Sequence, residues 1–447
     1  MLEPTARRLL AATARAQADG RLPSLVAAVV QDGALTWSAG RGDLETDVDP
    51  TDVQYRIGSI TKTFTAVLVM RLRDEGLLSL DTPVRELVPD APGGDRTVGQ
   101  LLGHAAGLRS ETDGAWWERT PGRAWAELVE PLGTGAVRHP AGRRFHYSNL
   151  GYGILGRVVE TVRGQDWATC LEHEVLRPLG MTRTTGDAVA PAARGLAVHP
   201  FSPVVVPEPA HDYRAMAAAG QLWSTAADLA RWGRFLLGET GAVLAPDTVA
   251  EMARPGLVDS LADGEGYGLG LQLEHAGGRL LVGHGGSVPG FLAVVSVDPA
   301  ERTAAVALAN ATAGLDGHLV PRLLDIVRDA EPAVAEAWRP LATADRVPLD
   351  LLGPWCWGPS PLLLTQTADG LLELRGPEGT GRGSRFRRTG TDSFEGLDDY
   401  YAGEVLRVVR DESGAPGHLD LGSFVLTREP YAPGPTPGGA PSPGWEP

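Results

Sequence analysis

Lysine occurs once in the 447-residue sequence, at Lys62; every other basic residue among the 40 Lys and Arg is arginine. Asparagine occurs twice, at Asn149 and Asn310. Lys and Asn codons are A/T-rich, so this scarcity fits a high-GC genome that writes arginine wherever a positive charge suffices. A retained lysine then marks a position where arginine does not serve. The chemical difference is the proton: a guanidinium with a pKa above ~12 keeps it, whereas a desolvated Lys becomes a neutral base. Lys62 lies three residues after Ser59, in Gly58-Ser59-Ile60-Thr61-Lys62, and on a helix that spacing puts both side chains on one face. With 17 serines in the chain, chance places one there roughly 4% of the time. The pairing supplies what a serine nucleophile lacks, a base to take its proton. The start of a helix adds partial positive charge for a developing oxyanion.

Two further groups complete a hydrolytic constellation. In Tyr147-Ser148-Asn149, a phenol whose pKa is lowered by the lysine can relay a proton, and the Asn149 amide can hold a substrate amide. In His284-Gly285-Gly286-Ser287, expected as a turn after a strand over 279–282, the glycines let backbone approach a bound acyl group. The amides of Ser59 and Ser287 would then form an oxyanion hole. Taken singly, the second and third groups are weak signals. A Gly-x-Ser-x-Gly elbow of the α/β-hydrolase type is nearest matched by residues 285–289, but Pro289 and the following strand break it. His104, His146 and His211 read as structural. Asn310 reads as capping a strand end through an Asx turn. Trp116, Trp117 and Trp223 read as core residues, with the substrate groove as the alternative.

These residues must be positioned by a particular order of elements. Strand-like runs over 26–30 and 35–39 flank Asp32-Gly33 as a hairpin. From Ser59, apolar residues at helical spacing (Phe64, Val67, Leu68, Leu72) predict a buried helix ending at Gly76. Helices are expected over 150–163, 166–175, 225–237 and 319–329, and strands over 268–273, 279–282, 291–297 and 303–309. Strands, a helical insertion and strands again imply one α/β domain closed by its two ends and followed by a terminal helix. Short strands over 362–367, 371–374, 384–388, 405–409 and 423–427 predict a small β-barrel. The expected boundaries are 1–335 for the hydrolase domain, 336–349 for a linker, 350–429 for the barrel and 430–447 for a disordered Pro/Gly-rich tail.

Composition excludes several partners. A net charge of −16 opposes nucleic-acid binding, and no apolar run reaches the ~18 residues needed to span a bilayer. Cys170 and Cys356 are too few for a disulfide framework or a zinc site and read as buried thiols. The first 20 residues read as an amphipathic helix rather than a signal peptide, which places the protein in the cytoplasm. No metal or cofactor is expected.

In this order and with these gaps, Ser59-x-x-Lys62, Tyr147-x-Asn149 and His284-x-Gly286 resemble the three motifs of the penicillin-recognising serine hydrolases. The similarity is to the branch around class C β-lactamases, D-aminopeptidases and family VIII carboxylesterases. It covers roughly residues 5 to 330, supported by Tyr55-Arg56-Ile57-Gly58 and the run from Leu101 to Leu108. The resemblance implies an α/β (α+β) fold, an antiparallel sheet flanked by helices plus a helical subdomain, with Ser59 as nucleophile, Lys62 and Tyr147 as bases, and Asn149, His284, Gly286 and Ser287 as substrate-binding residues. Residues 350 to 428 resemble the lipocalin-like barrel appended to some of these hydrolases. The implied activity is acyl-enzyme hydrolysis of small esters, amides or short peptides. A β-lactamase, a penicillin-binding sensor without efficient turnover, and a peptide-cyclising thioesterase are the alternatives. His284 stands where transpeptidases and most β-lactamases carry lysine, so substrates without a carboxylate are expected to be preferred.

Overall fold

The apolar run Ser24–Gln31 forms a strand buried on both faces, because alternate side chains enter two different cores. Leu25, Ala27 and Val29 pack with Leu9 and Ala16 of the helix Glu3–Asp19 and with Leu319, Leu323 and Leu324 of the helix Leu319–Ala330. Val26, Ala28 and Val30 face the larger core, which holds Phe64, Leu229 and Trp232. The sheet is antiparallel with seven strands: Ala34–Gly42, Ser24–Gln31, Thr303–Ala309, Phe291–Asp298, Arg279–Val288, Gln272–Ala276 and Glu265–Tyr267, in spatial order. The structure, a computed structural model, describes residues 1–256, 265–331, 337–377, 379 and 382–430. It divides into two units, Met1–Ala333 and Val334–Pro447. Among the described residues no helix is long and apolar enough to cross a membrane.

The helical region inserted in the first unit carries the Ser59–Lys62 and Tyr147–Asn149 groups. A 3-10 turn over Gly58–Ile60 leads into the helix Thr61–Asp74, whose residues are buried from Thr61 to Met70. Phe64 stacks on Trp232 with ring centroids 3.8 Å apart, and the Trp232 indole N–H donates to Thr63 Oγ1 at 2.9 Å. The helix Asn149–Arg163 starts where the Ser148 hydroxyl accepts the Gly151 N–H, an N-cap that fixes Tyr147 and Asn149 on either side of it.

Two strand expectations need correction. Residues 268–271 form the turn between Glu265–Tyr267 and Gln272–Ala276: Gly268 N–H donates to Leu271 O and Leu269 N–H to Met252 O, both at 2.9 Å. The strand expected to stop at 282 runs on through His284-Gly285-Gly286-Ser287 to Val288, since it pairs with Phe291–Asp298 along that whole length. Asn310 is not an Asx turn either. Its Oδ1 accepts from Ser24 N and Ser24 Oγ at 2.6 and 2.8 Å, and its Nδ2 donates to Arg194 O, so it ties the start of one central strand to the end of the next.

The second unit contains a closed barrel of eight antiparallel strands, with Cys356 opposite Thr427 at the closure. Three strands beyond those expected belong to it: Gly353–Trp357, Ser393–Gly396 and Pro416–Leu421. Their Gly and Pro residues read locally as turns. Its interior is filled by Trp355, Leu364, Leu374, Phe386, Phe394 and Leu406, each 1% exposed or less. Val347, within the stretch read as linker, packs in this core. From residue 431 the expected tail lies outside the described residues.

Candidate active site

Ser59 sits on the turn ahead of the helix Thr61–Asp74, half-exposed while the residues around it are buried. Lys62, one helical step further, is wholly buried. Its Nζ lies 2.9 Å from Ser59 Oγ and donates to Ala219 O at 2.7 Å. Burial drives the ammonium pKa down from 10.5 to about 7, against the charges of Glu111 and Glu118, which push it up. Ionising an amine here means taking a charge out of water, so near neutral pH a large share of Lys62 is free base.

The Tyr147 ring is the next group in reach, with Lys62 Nζ 5.0 Å from its centroid. The expectation of a lowered phenol pKa is overturned. Burial pushes it well above its ordinary range, and the hydrogen bond with Ser59 only partly opposes this. Lys62, with its pKa brought to about 7, is uncharged in the alkaline range where a phenol ionises and gives little stabilisation to a phenolate, so Tyr147 stays protonated. Asn149 donates from Nδ2 to Glu111 Oε1 at 2.7 Å, while its buried Oδ1 has no hydrogen-bond partner.

The third motif enters along the strand Arg279–Val288. A Cβ on Gly286 would collide with Ile57 O and come within 3.2 Å of Ser59 N. Gly58, with φ +48°, places its own Cα beside the Ser287 backbone, where a Cβ would stand 2.8 Å from Ser287 N. Both glycines are therefore required for the strand to lie against the turn that carries Ser59. The neighbouring strand pairs only as far as Gln272 opposite Gly283, which leaves the edge from His284 to Val288 without a strand partner among the described residues.

His284 is 2% exposed. Burial, helped by the positive charge of Lys62, lowers its pKa to about 3. Nδ1 lies 2.5 Å from Gly285 O, so Nδ1 carries the proton and Nε2 accepts from the Tyr267 hydroxyl at 3.0 Å. The imidazole is therefore neutral throughout the physiological range, and a pH-dependent attraction for carboxylates, expected from an unperturbed histidine, does not arise.

Sequence reasoning missed three groups. His104, read as structural, supports the site directly. Its carbonyl accepts the His146 N–H at 2.8 Å, its Nδ1 accepts the Ser148 N–H at 3.0 Å, and its ring lies 4.2 Å from that of Tyr147. Its φ of +53° aims both acceptors at one segment. Arg56 is 1% exposed, with its guanidinium 4.2 Å over the Tyr213 ring and no hydrogen-bond partner at Nε or Nη1. Glu111 and Glu118 form an acidic lip in which Trp117 Nε1 donates to Glu111 and Trp116 Nε1 to Glu118. Glu111 lies in a loop and Glu118 in the short 3-10 turn Trp117–Arg119, neither with a periodic pattern, so only folding brings them near Lys62. Trp117 borders the nucleophile turn through the space beside Gly220, whereas Trp223 is a core residue, 6% exposed. His146 meets Ser110 Oγ at 3.3 Å, and the carbonyl of His211 accepts from Arg56.

The profile of the Beta-lactamase family matches residues 9–327. The chain belongs to the Beta-lactamase family. Residues 344–428 match a second profile, described only as a domain of unknown function (DUF7586). Among curated relatives of this family member, Penicillin-binding protein 4 of Amycolatopsis lactamdurans is 30% identical over 282 residues, 58% of this chain and 73% of its own. Beta-lactamase-like protein 2 of Dictyostelium discoideum is 28% identical over 55% of this chain, which spans about half (48%) of that protein's length. Among solved structures, a D-stereospecific amidohydrolase from Streptomyces is 27% identical, with a TM-score of 0.62 over 74% of this chain and 99% of its own. The structure of SurE, also 27% identical, covers 95% of this chain and 99% of its own at a TM-score of 0.60. The octameric penicillin-binding protein homologue from Pyrococcus abyssi, at 23% identity and a TM-score of 0.66 over 94% of this chain and 99% of its own, shares the fold.

Proposed function

We propose that the protein is a serine amidase or esterase that works through an acyl-enzyme on Ser59 and favours small substrates with a free amine and no carboxylate. The observation that carries this reading is the wholly buried Lys62 amine, 2.9 Å from Ser59 Oγ with its pKa brought to about 7 by burial. Ser59 Oγ attacks the substrate carbonyl as its proton passes to Lys62 Nζ. The oxyanion is held by the amides of Ser59 and Ser287. Tyr147, kept protonated, hands a proton to the departing amine or alkoxide and is resupplied from Lys62. Water then attacks the ester carbonyl and the proton transfers run in reverse, releasing the acid and free Ser59.

Substrate charge is read from the walls. A neutral His284 offers no cation to a carboxylate, while Glu111 and Glu118 raise the Lys62 pKa and so project negative potential into the site. A substrate ammonium suits that lip. The 27% identity to a D-stereospecific amidohydrolase agrees with an amide as substrate. Turnover of amino-acid p-nitroanilides, short p-nitrophenyl esters and nitrocefin by the purified protein tests the reading. Aminoacyl substrates are expected to lead. Nitrocefin as the best substrate would replace this reading with that of a β-lactamase.

A further inference from the structure

Residues 111–119 cross from one side of the site to the other and are tied at both ends. At one end Glu111 Oε1 accepts from Asn149 Nδ2 at 2.7 Å and its Oε2 from Trp117 Nε1 at 2.7 Å. At the other end Arg119 Nη2 pairs with Glu208 Oε2 at 2.9 Å. Glu208 is a fixed post. Its side chain is 5% exposed, its N–H donates to Gly195 O, and its Oε1 accepts from Thr312 Oγ1 at 3.2 Å. Thr312 Oγ1 in turn accepts the Gly290 N–H at 2.9 Å. Gly290 lies in the turn that ends the strand carrying Ser287, and a Cβ there would meet Glu208 Cβ at 3.0 Å. The Arg119 guanidinium also lies 5.2 Å over the Trp116 ring.

The length of free edge between the oxyanion site and this post is short. A substrate lying along the unpaired edge advances ~3.3 Å per residue, and Val288 alone separates Ser287 from the Pro289-Gly290 turn. We propose that residues 111–119 form a strap over the groove and that the Arg119–Glu208 ion pair closes it beyond Ser287, restricting the acyl side of the substrate to a single residue. This deepens the function proposed above and rests on Ser59 being the nucleophile. The substrate class that fits is the amide or ester of one amino acid, its ammonium held under the strap by the Glu111 and Glu118 carboxylates that act on Lys62. Arg119 then acts on specificity through Glu208, without touching the reacting atoms. With Arg119 40% exposed, the closure is also open to screening by salt.

The test measures second-order labelling of Ser59, by intact-protein mass spectrometry, with two diphenyl aminoalkylphosphonates: one built on a single amino acid with its amine free, the other dipeptidyl. Labelling needs attack by Ser59 and loss of phenolate, not turnover. The full-length wild type is expected to favour the single-residue probe by tenfold or more. Arg119→Ala and Glu208→Gln should each cut that preference at least fivefold, Arg119→Lys should retain it, and 0.5 M NaCl (on the order of a 4 Å Debye length) should narrow it in the wild type but not in Arg119→Ala. A preference that survives both Arg119→Ala and Glu208→Gln, or a wild type without one, overturns the strap. If neither phosphonate labels the wild type but a small alkyl fluorophosphonate does, labelling newly gained in Arg119→Ala supports the closure and none gained overturns it. Failure of the fluorophosphonate as well overturns the nucleophile assignment, and the strap proposal with it.

Discussion

The two antiparallel β-structures in this chain treat their edges and interiors in opposite ways. The seven-stranded sheet leaves the His284 to Val288 edge beside Ser59 without a strand partner, and its unit buries Lys62, Arg56, His104 and His284. The barrel pairs its last strand with its first, and Ser384 is the one buried polar side chain among its described residues. Burying an ionisable group costs several kcal/mol unless it is fully paired. Such groups persist where desolvation itself produces a chemical property, as it does in bringing Lys62 to near-neutral pKa. Among its described residues the barrel buries no Lys, Arg, His, Asp or Glu and leaves no free edge, whereas the first unit sets a buried lysine against a serine hydroxyl, and the proposed chemistry belongs with that pair.

The sharpest break of this comparison is at the base. Ser59→Ala is expected to abolish hydrolysis, and Lys62→Arg to lower kcat by ~10³-fold, about 4 kcal/mol, because arginine cannot accept the Ser59 proton. Retention of more than a tenth of kcat in Lys62→Arg would remove the general-base role. On the other side, Trp355→Ala in the full chain should destabilise the barrel by about 3–4 kcal/mol while fluorophosphonate labelling of Ser59 persists. Thermal unfolding and labelling measured together check this, and loss of labelling in folded protein would show that the barrel completes the site.

A smaller effect separates support from chemistry. His104→Ala removes the acceptor of the Ser148 N–H and should lower kcat by roughly tenfold, about 1.4 kcal/mol. His104→Asn can present an oxygen near the same place and tolerates positive φ, so it should recover most of the loss. Equal damage by both would mean that the imidazole does more than hold the segment. The smallest expected effect is electrostatic. Lys62 acts as a base when deprotonated, so acylation should rise with pH through a pKa of about 7. The Glu111 carboxylate raises that pKa, so Glu111→Gln should move the acid limb to lower pH. A limb that stays in place would show that the lip does not reach Lys62 electrostatically.

Much of the site was legible because it was written in local spacing. Ser59 and Lys62 fall one helical turn apart on a segment whose apolar periodicity announces a helix. Ser148 caps the next helix, which brings Tyr147 and Asn149 to its start. The barrel strands seen in advance were short runs free of proline, whereas those that open on Gly353-Pro354 or on Pro416-Gly417 were not. Residues 268–273 misled because a turn between Gly268 and Gly270 is surrounded by residues that also suit a strand.

By itself the sequence marked which residues could act and, through one conspicuous lysine, which of them is the candidate base. The tertiary structure decided their states. Desolvation depends on everything packed around a group, so only the folded protein shows that Lys62 is brought to about 7, that Tyr147 stays protonated, and that His284 falls to about 3 and carries no charge. The same holds for contacts between distant segments. His104 under Tyr147, the glutamates of the lip and the Arg119–Glu208 pair have no spacing in the chain that could reveal them, because burial and long-range contact are properties of the packed molecule.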